Sequence, residues 1–421
     1  MSHSVLADGI RSVIGGGTPS RSVGSYWTGD IPWASVKDLS DNRLTLYDTE
    51  EHITPAALRA SASNLVPPGT VIVCTRMAVG RAAMTMVPTA INQDLKALFT
   101  NERLRPRYLL HLLQILKPKL EAKAIWSTVK GIGVRDLLAV PVLLPDTTGQ
   151  DRIIEVLDRA DKAIQYSASI IARMRLIKVG LIHDLLTRGL DESGQLRDFI
   201  MHPKNFYGTK LGVLPSSWRV CPITEATDEP ASITIGPFGS DLTAGDYRDH
   251  GTPVVFVRDV REEGFNWKSG VYVSSDKAYR LSAHDVRQGD LLATKMGLPP
   301  GVACVYPATM PPGIVTADII RLRPRTDYVN VEWLTTYVNS YSVAAQVRKI
   351  TGGVTRPKIT LRDFRKLYVA LPTITEQERI ISALKAQDHR IEVEEAVRDK
   401  LVLQKQGLLA DLLTGRISAH A

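Results

Sequence analysis

The stretch TGQDRIIEVLDRADKAIQ (Thr148–Gln165) decides the fold, because TEQERIISALKAQDHRIE (Thr375–Glu392) repeats its pattern 227 residues later. Shifting the chain by this distance aligns Arg135–Thr187 with Arg362–Thr414 without a gap. Loops accept insertions readily and rigid helices do not, so a gap-free match of this length predicts one long helix in each copy. The sequence therefore predicts an internal repeat.

Apolar residues in both copies recur at alternating steps of four and three, which is the pattern of a coiled-coil seam. Thr148 and Thr375 are the predicted N-caps. A helix of about 38 residues, roughly 57 Å long at ~1.5 Å per residue, needs its apolar stripe packed, and the other copy is the economical partner. Two unrelated surface helices are the alternative. The predicted helix-pair core comprises Ile153, Leu157, Ile164, Ile171, Met174, Leu181, Ile380, Leu384, Ile391, Leu401 and Leu408.

The composition is that of a globular protein with more than one core. A chain of 421 residues exceeds the usual size of a single core. Hydrophobic residues make up 44% and charged residues 23%, and no apolar run approaches the ~20 residues of a membrane span. The N-terminus lacks the pattern of a secretory signal, which predicts a cytoplasmic location. Cys74, Cys221 and Cys304 are widely separated, so we expect small half-buried side chains rather than disulfides or zinc ligands.

The order of signals along the chain is globule, helix, linker, globule, helix. GDIPWASVKDL (Gly29–Leu39) resembles HGTPVVFVRDV (His250–Val260), which extends the repeat into the globular parts. Each reads as a turn that enters a short strand. The predicted boundaries are 1–146 for the first α/β domain, 147–190 for the first long helix, 191–213 for the linker, 214–373 for the second α/β domain and 374–421 for the second long helix.

Motifs for catalysis were sought and not found. GGGTPS (Gly15–Ser20) lacks the Gly-Lys-Ser/Thr ending of a phosphate loop and reads as a tight turn. The nine histidines lack metal-ligand spacing, and Asp259, Glu262 and Asp290 do not form a nuclease pattern. No methyltransferase, helicase or ATPase signature was recognised. This pattern favours recognition and scaffolding over catalysis, with neither a catalytic residue nor a metal ligand predicted in this chain.

A net charge of +8 and a pI of about 9.3 permit binding to a polyanion. A basic, glycine-bearing segment precedes each helix, at Lys117–Asp136 and at Val347–Lys366. Lysine and arginine neutralise phosphates, whereas base edges are read by Arg or Lys at guanine and by Asn or Gln at adenine. The candidate DNA-binding residues are Lys37, Arg76, Arg81, Asn92, Gln93, Lys130, Arg258, Lys295, Thr355, Arg356 and Lys358.

Several segments stand out as motifs: GGTPS (Gly16–Ser20) with YWTGDIPWASVKDL (Tyr26–Leu39), INQDLKAL (Ile91–Leu98), LPSSW and IGPFGS within Leu214–Ser240, and two helix starts with proline before Gln-x-Arg-Ile-Ile. In this combination they resemble the specificity subunit of type I restriction-modification systems. The resemblance covers nearly the whole chain. One departure is that the first domain lacks the LPSSW lead-in of the second, so its opening strand is expected to be trimmed or replaced by Val5–Val13.

The resemblance implies a fold of two mixed α/β target recognition domains joined by two long antiparallel helices, which form an intramolecular coiled coil with a pseudo-two-fold repeat. Each domain would read one half of an asymmetric, bipartite double-stranded DNA target, and the helices would set the spacer. Two methylation (M) subunits that use S-adenosylmethionine would dock on this chain, together with restriction (R) subunits that use ATP and magnesium. The chain itself would hold no cofactor.

Two other readings of the same residues stay open at this point. The basic segments also suit a stand-alone restriction endonuclease, although no set of metal-binding carboxylates is apparent. The helix pair also suits a coiled-coil scaffold for proteins alone. These readings predict different behaviour, because phosphate contacts make DNA affinity depend steeply on salt concentration.

Overall fold

The computed structural model describes residues 4–41, 43–124, 130–229, 232–353 and 355–417. The described residues form two compact units. Unit 1 takes Met1–Ile170 and Glu394–Ala421, and unit 2 takes Ile171–Val393. Positions 125–129 of the first basic segment and 354 of the second lie outside the described residues. In the described chain no helix is both long and apolar enough to cross a membrane.

Unit 1 combines short strands with three helices that precede the first long helix. The elements are β1 (Ser4–Val5), β2 (Ile10–Gly15), β3 (Ile31–Ala34), β4 (Thr45–Leu46), β5 (Glu51–Ile53), α1 (Pro55–Arg59), β6 (Asn64–Val66), β7 (Val71–Cys74), β8 (Ala82–Thr85), β9 (Thr89–Ile91), β10 (Leu95–Thr100), α2 (Pro106–Lys123), α3 (Val134–Leu138), β11 (Pro141–Val142) and the start of α4 (Thr147–Thr187).

The strands of unit 1 form two main sheets, with orders β2-β10-β7-β8-β4 and β5-β3-β9-β6. In the second sheet β3 and β9 are parallel, and the other neighbours are antiparallel. The strand VIVC of β7 is buried at every position, as expected for an apolar run in the middle of a covered sheet. Helix α2 packs against β7 and β8 and buries Tyr108, Leu109, Leu112 and Leu113.

Unit 2 repeats this plan after a hairpin. Its elements are β12 (Phe206–Thr209), β13 (Gly212–Pro215), β14 (Arg219–Pro222), β15 (Ile233–Ile235), β16 (Thr252–Val255), β17 (Val260–Arg261), β18 (Gly264–Phe265), β19 (Tyr272–Val273), α5 (Ser275–Arg280), β20 (Asp285–Val286), β21 (Leu291–Thr294), β22 (Ala303–Val305), β23 (Gly313–Val315), β24 (Ile319–Leu322), α6 (Val331–Val338), α7 (Tyr341–Ile350), α8 (Leu361–Phe364), β25 (Tyr368–Leu371) and the start of α9 (Ile374–Thr414).

The sheets of unit 2 have the orders β15-β24-β21-β22 and β19-β16-β23-β20. Each strand has its counterpart in unit 1, and β16 and β23 form the parallel pair that β3 and β9 form there. The structure therefore confirms the expected fold class, a duplicated α/β unit with a long helix in each copy. One difference is that the single helix α2 corresponds to the two helices α6 and α7.

The opening strand of unit 1 is present, and its described part begins at Ser4. In unit 2, β14 pairs with β25 over four residues, whereas in unit 1, β1 pairs with β11 over two. The backbone after each strand is held alike, because Leu6 N–H donates to Val140 O and Ile223 N–H donates to Leu367 O. Ser4–Val5 thus corresponds to the end of β14, which follows the LPSSW lead-in of unit 2.

Both long helices contain 41 residues, and each starts in one unit and ends in the other. The predicted N-caps were wrong by two residues. Gly149 N–H donates to the Asp146 carboxylate at 2.8 Å, and Glu376 N–H donates to the Thr373 hydroxyl at 3.3 Å. Asp146 and Thr373 are therefore the N-caps, because each side chain accepts from the third residue after it.

A buried glutamine in the first turn ties each helix to its own α/β fold. The Gln150 amide accepts from Arg105 N–H and donates to the carbonyls of Arg103 and Pro145, at 2.7–2.9 Å. The Gln377 amide makes the same bonds to Asn330 N–H and to the Tyr328 and Pro372 carbonyls. Both side chains are fully buried. The two glutamines shared by the repeated sequence are thus the fixed points between helix and domain.

Within each unit the two helices run antiparallel. In unit 1, Lys405 Nζ lies 2.6 Å from the Asp161 carboxylate, and the Ser167 hydroxyl donates to the Glu394 carboxylate at 2.7 Å. In unit 2, Lys178 Nζ lies 2.5 Å from the Asp388 carboxylate. The two lysine–aspartate pairs are copies of each other, 227 positions apart. The charged residues of both lysine–aspartate pairs are therefore paired across the seam.

The burial of the predicted helix-pair core differs at one end. Ile153, Leu157, Ile171, Ile380, Leu384 and Ile391 are buried, and Ile164, Met174, Leu181 and Leu401 are half-buried. Leu408 is 37% exposed, so its assignment to the core was wrong. Leu409, Leu412 and Leu413 are buried instead, because the last turns of α9 pack into the sheet core of unit 1.

The cysteines are more deeply buried than expected. Cys74, Cys221 and Cys304 are all free thiols in the interior. Burial raises the pKa of Cys74 and of Cys304 to about 12. They act as small apolar side chains in strands.

Candidate nucleic-acid interface

A glycine sets the approach of two segments at one end of the parallel strands in each unit. A Cβ on Gly16 would lie 1.9 Å from Ile91 O, and one on Gly236 would lie 2.1 Å from Val315 O. Only glycine can pass so close to the ends of β9 and β23. The stretch GGGTPS was predicted to be a tight turn. The close approach to β9 gives the physical reason for Gly16 within it.

The next element is a tight turn that displays one basic residue. Asp38 accepts from Ser35 N–H at 2.8 Å, and Asp259 accepts from Phe256 N–H at 2.9 Å. These equivalent turns follow β3 and β16 and leave Lys37 and Arg258 exposed. The guanidinium of Arg258 also lies 4.5 Å from the Phe256 ring centroid. A side chain of the same charge therefore stands at the same place in both units.

In unit 2 this turn borders an open cleft of about 500 Å³. Arg258 lies on its wall together with the aromatic rings of Tyr247 and Phe256. The preceding loop is held by Asp246, whose pKa is lowered to about 2 by hydrogen bonds from Thr243 N–H and Lys277. A cation beside aromatic faces in an open cleft suits a planar base or a phosphate better than a buried small molecule.

A second basic surface in unit 1 is formed where the β7–β8 loop meets the segment before α3. Arg76 pairs with Gly131 in an antiparallel bridge, and Met77 N–H donates to Lys130 O at 2.9 Å. Arg76 is exposed and its guanidinium is 3.8 Å from the Asp94 carboxylate. Arg81, at the end of the loop, lies 3.8 Å from Asp41. The fold thus brings Lys130, which is distant in sequence, to the loop that carries Arg76 and Arg81.

Unit 2 builds the same surface from different residues. Met296 pairs with Lys358, and Gly297 N–H donates to Pro357 O at 3.2 Å. Lys295 lies over the Phe238 ring at 4.9 Å and donates to Ala317 O. The partner segment, between α7 and α8, exposes Thr355, Arg356 and Lys358. Among the predicted residues of unit 2, Lys295, Thr355, Arg356 and Lys358 therefore lie in or beside one loop pairing.

The two remaining candidates differ in exposure. Gln93 is exposed and accepts from the Thr18 hydroxyl at 2.5 Å. Asn92 is buried, and its side chain bonds both the backbone and the carboxylate of Asp94. Its amide is therefore occupied in shaping the turn after β9, and we keep it out of the proposed base-reading set. Gln93 stays in that set.

Sequence reasoning missed three exposed apolar residues beside these basic side chains. Met77 is 63% exposed, Phe238 59% and Leu298 87%. Met77 and Leu298 lie in the loops after β7 and β21, and Phe238 lies in the IGPFGS turn. Met77 directly follows Arg76 in the sequence, but the exposure of all three side chains can be read only from the fold.

One buried histidine contacts a carboxylate away from these surfaces. His111 Nε2 lies 3.0 Å from the Asp158 carboxylate, which Arg107 also contacts at 2.8 Å. His111, Asp158 and Asp161 offer ligand atoms within 4.8 Å of one another. Arg107 and Lys405 already neutralise the two carboxylates. The cluster therefore fits a structural contact between α2 and α4 better than a cation site.

A duplicated α/β unit, a repeated basic surface and an antiparallel helix pair together define a protein of the DNA-specificity class. The sequence model of the family described as "Type I restriction modification DNA specificity domain" matches residues 7–174 and 312–402. These segments cover more than half of the chain, and the chain belongs to this family.

Curated relatives agree with this family. The chain is 32% identical over 157 residues to the type I restriction enzyme EcoR124I/EcoR124II specificity subunit of Escherichia coli, which covers 35% of this chain and 38% of the relative. It is 29% identical over 159 residues to the MjaIX specificity subunit of Methanocaldococcus jannaschii, covering 37% of each. The matches thus span less than half the length of either relative.

Solved structures share the fold over almost the whole chain. A chain from a type I R-M system studied for its assembly and conformational transition gives a TM-score of 0.65 at 15% identity, covering 98% of this chain and 97% of that one. The HsdS subunit from Thermoanaerobacter tengcongensis gives 0.53 at 16% identity, covering 99% and 97%. At these identities the likeness concerns the fold alone.

Proposed function

We propose that this chain is the DNA-recognition subunit of a type I restriction-modification complex. The α/β part of each unit, 1–146 and 214–373, would read one half of a bipartite DNA target. The observation that carries the proposal is that one scaffold presents two versions of one basic surface. Equivalent turns hold Lys37 and Arg258, and equivalent loops hold Arg76 and Lys295.

The differences between the two surfaces support an asymmetric target. The exposed Gln93 lies two residues after β9, whereas Ala317 lies at the same place after β23. Side chains that offer different hydrogen bonds select different bases in the major groove. A chain with two such versions therefore suits two unlike half-sites better than a palindrome.

The helix pair is proposed to set the spacer between the half-sites. Each helix has 41 residues, or about 60 Å at ~1.5 Å per residue. Gln150 and Gln377 fix the starts of α4 and α9 to the folds of their own units. A rigid element with fixed starting points is what a ruler requires.

Exposed apolar side chains on the helices support docking of two copies of one partner. Tyr166 and Val393 are both exposed, and so are Leu176 and Leu403. In each case the two positions are 227 residues apart. Exposed apolar positions that obey the repeat fit two methylation subunits bound in equivalent ways, with restriction subunits joining them. The chemistry that uses S-adenosylmethionine, ATP and magnesium would then belong to those partners, and this chain would be non-catalytic.

The decisive experiment is to map methylated bases across the host genome with and without this gene. The proposal expects one split motif to lose methylation on deletion and to regain it on complementation. Unchanged methylation would refute it. Purified complex should also bind a duplex carrying that motif with an affinity that falls steeply with salt, because lysine and arginine displace counterions from phosphates.

The ruler is tested by inserting four residues after Ile171 and after Arg398. Both positions lie along the helices between the residues of the lysine–aspartate pairs. The insertion adds roughly 6 Å at ~1.5 Å per residue, so the preferred spacer should grow by about one or two base pairs. If the variant complex still methylates targets with the original spacer length, this role for the helices is excluded.

A further inference from the structure

In unit 1 two distant segments form a short two-stranded ribbon, Thr75–Met77 with Lys130–Ile132. Ile132 N–H donates to Thr75 O and Met77 N–H donates to Lys130 O, both at 2.9 Å. The bridge between Arg76 and Gly131 lies between these bonds. The ribbon carries Arg76 and Lys130, with Arg81 at the far end of the same loop. A two-stranded ribbon of this size is one of the elements that the major groove of DNA admits.

Met77 holds a strained backbone at the end of this ribbon. Its φ is +62°, and every other described residue with positive φ is a glycine. Ala78 N–H donates to Arg76 O at 2.8 Å, which makes Met77 the centre of a γ-turn with positive φ, the rarer and more strained form. Glycine would adopt this turn without strain.

Packing does not offset the strain. The Met77 side chain is 63% exposed, so it gains little from the interior of the protein. Strained residues that the fold holds in place cluster at binding sites, and an observed outlier of this kind is grounds for a functional hypothesis. An exposed apolar side chain among cations has no evident role in the isolated unit.

In unit 2 the residue that corresponds to Met77 is Gly297, and the exposed apolar side chain comes one position later. Lys295–Gly297 pairs with Pro357–Ile359, and Ile359 N–H donates to Lys295 O at 3.0 Å. Leu298 follows directly and is 87% exposed. The ribbon is basic here too, through Lys295 and Lys358. Both units therefore place an exposed apolar residue beside paired, basic backbone.

We propose that Met77 is a specificity-determining residue that contacts base edges in the major groove, where it favours the methyl group of a thymine. This inference rests on the proposed function. The C5-methyl group of thymine is the apolar group that the base pairs present in that groove, so an apolar side chain there distinguishes thymine from the other bases. Arg76, Arg81 and Lys130 hold the ribbon against the phosphates on either side.

The test uses the complex with its methylation subunits and duplexes in which each thymine of the target is replaced in turn by deoxyuridine. The replacement removes only the methyl group. Wild-type complex should lose about fourfold in affinity at one thymine of the unit 1 half-site, the equivalent of ~0.8 kcal/mol per methyl-sized group. Met77→Gly should bind the thymine duplex about fourfold more weakly and should not distinguish it from the deoxyuridine duplex.

Two further variants separate this role from a structural one. Met77→Asn keeps a residue that tolerates positive φ, and it should lose thymine discrimination as Met77→Gly does. Leu65→Asn removes an exposed apolar side chain of β6 in the same unit, outside the ribbon, and should bind like the wild type. The melting temperature of Met77→Gly should be unchanged or higher, because glycine relieves the strain.

Three outcomes would overturn the inference and leave the proposed function in place. Met77→Gly could retain both the affinity and the thymine preference of the wild type. It could instead weaken binding equally on every duplex, including one of scrambled sequence, which would indicate a general contact. A Met77→Gly complex that assembles poorly but discriminates normally would assign Met77 to protein docking. If the wild-type complex itself fails to prefer its mapped motif over scrambled DNA, the proposed function fails first and the inference falls with it.

Discussion

Replacing Gln150 by methionine should destabilise unit 1 and leave unit 2 almost unchanged. Methionine has nearly the length of glutamine, so the main loss is hydrogen bonding rather than packing. The Gln150 amide makes three bonds to backbone groups, at Arg105 N–H and at the Arg103 and Pro145 carbonyls. At ~1 kcal/mol per bond, the free energy of unfolding should fall by about 3 kcal/mol.

The effect should be measured as a shift in melting temperature together with hydrogen exchange of individual amides. For a unit of about 200 residues, ~3 kcal/mol corresponds to a decrease of roughly 6–12 °C. The Arg105 amide should exchange faster because its acceptor is gone. The equivalent Asn330 amide, bonded to Gln377, should keep its protection. Gln165→Met is the matched control, because Gln165 is an exposed glutamine of the same helix.

Two results would refute the reasoning. A loss below ~1 kcal/mol would mean that water replaces all three bonds without cost. An equal loss of protection at Asn330 and Arg105 would mean that the two units unfold as one body and that Gln150 is not a local fixed point. The mirror variant, Gln377→Met, should reverse the pattern and destabilise unit 2.

Three further predictions follow from the paired charges and the buried thiols. Burial tends to raise the pKa of Asp158, but hydrogen bonds from His111 and Arg107 outweigh it and hold the pKa below its usual range. This carboxylate therefore stabilises unit 1 above roughly pH 4, and its contribution to the free energy of unfolding is lost as pH falls through the native pKa. Asp158→Asn should thus show a shallower loss of stability in acid titrations followed by circular dichroism, and a curve parallel to the wild type would contradict this. Lys405→Met leaves Asp161 without its partner in the helix seam and should cost about 2–4 kcal/mol in urea unfolding, whereas adding Asp161→Leu should recover much of the loss. Cys74 and Cys304, whose pKa values burial raises to about 12, should resist iodoacetamide in the native protein and react only on unfolding; rapid labelling at pH 8 would disprove their burial.

The repeat could be predicted because its signal is periodic and local. The four-three spacing from Ile153 onward depends only on the geometry of a helix, and the glutamines Gln150 and Gln377 were visible as repeated letters. The helix ends were predicted less well. Thr148 is as good a capping residue as Asp146, and only the hydrogen bond from Gly149 decides between them. Leu408 was misplaced because the last turns of α9 pack on a sheet core and turn the face of Leu409, Leu412 and Leu413 toward it, which leaves Leu408 outside the buried stripe.

Side-chain exposure at the candidate interface has a local physical reason where it follows from a turn. Lys37 and Arg258 stand before an aspartate that closes a tight turn, so the turn forces them outward. Asn92 carries the right chemistry for adenine, but Asp94 two residues later captures its amide. Met77 was missed because positive φ is usually read from glycine, and a methionine gives no such signal.

One pair of contacts shows which parts of the repeat are fixed and which are free to diverge. In unit 1, Arg107 of α2 pairs with Asp158 of α4, and in unit 2, Glu332 of α6 pairs with Lys385 of α9. The positions correspond, but the charges are reversed. The glutamine bonds, which connect backbone groups, are identical in the two units. Docking of each domain on its helix thus depends on backbone geometry that both copies keep. The reversed charges make each domain a poor fit for the start of the other helix. In such a pairing Arg107 would meet Lys385 and Glu332 would meet Asp158, and like charges repel.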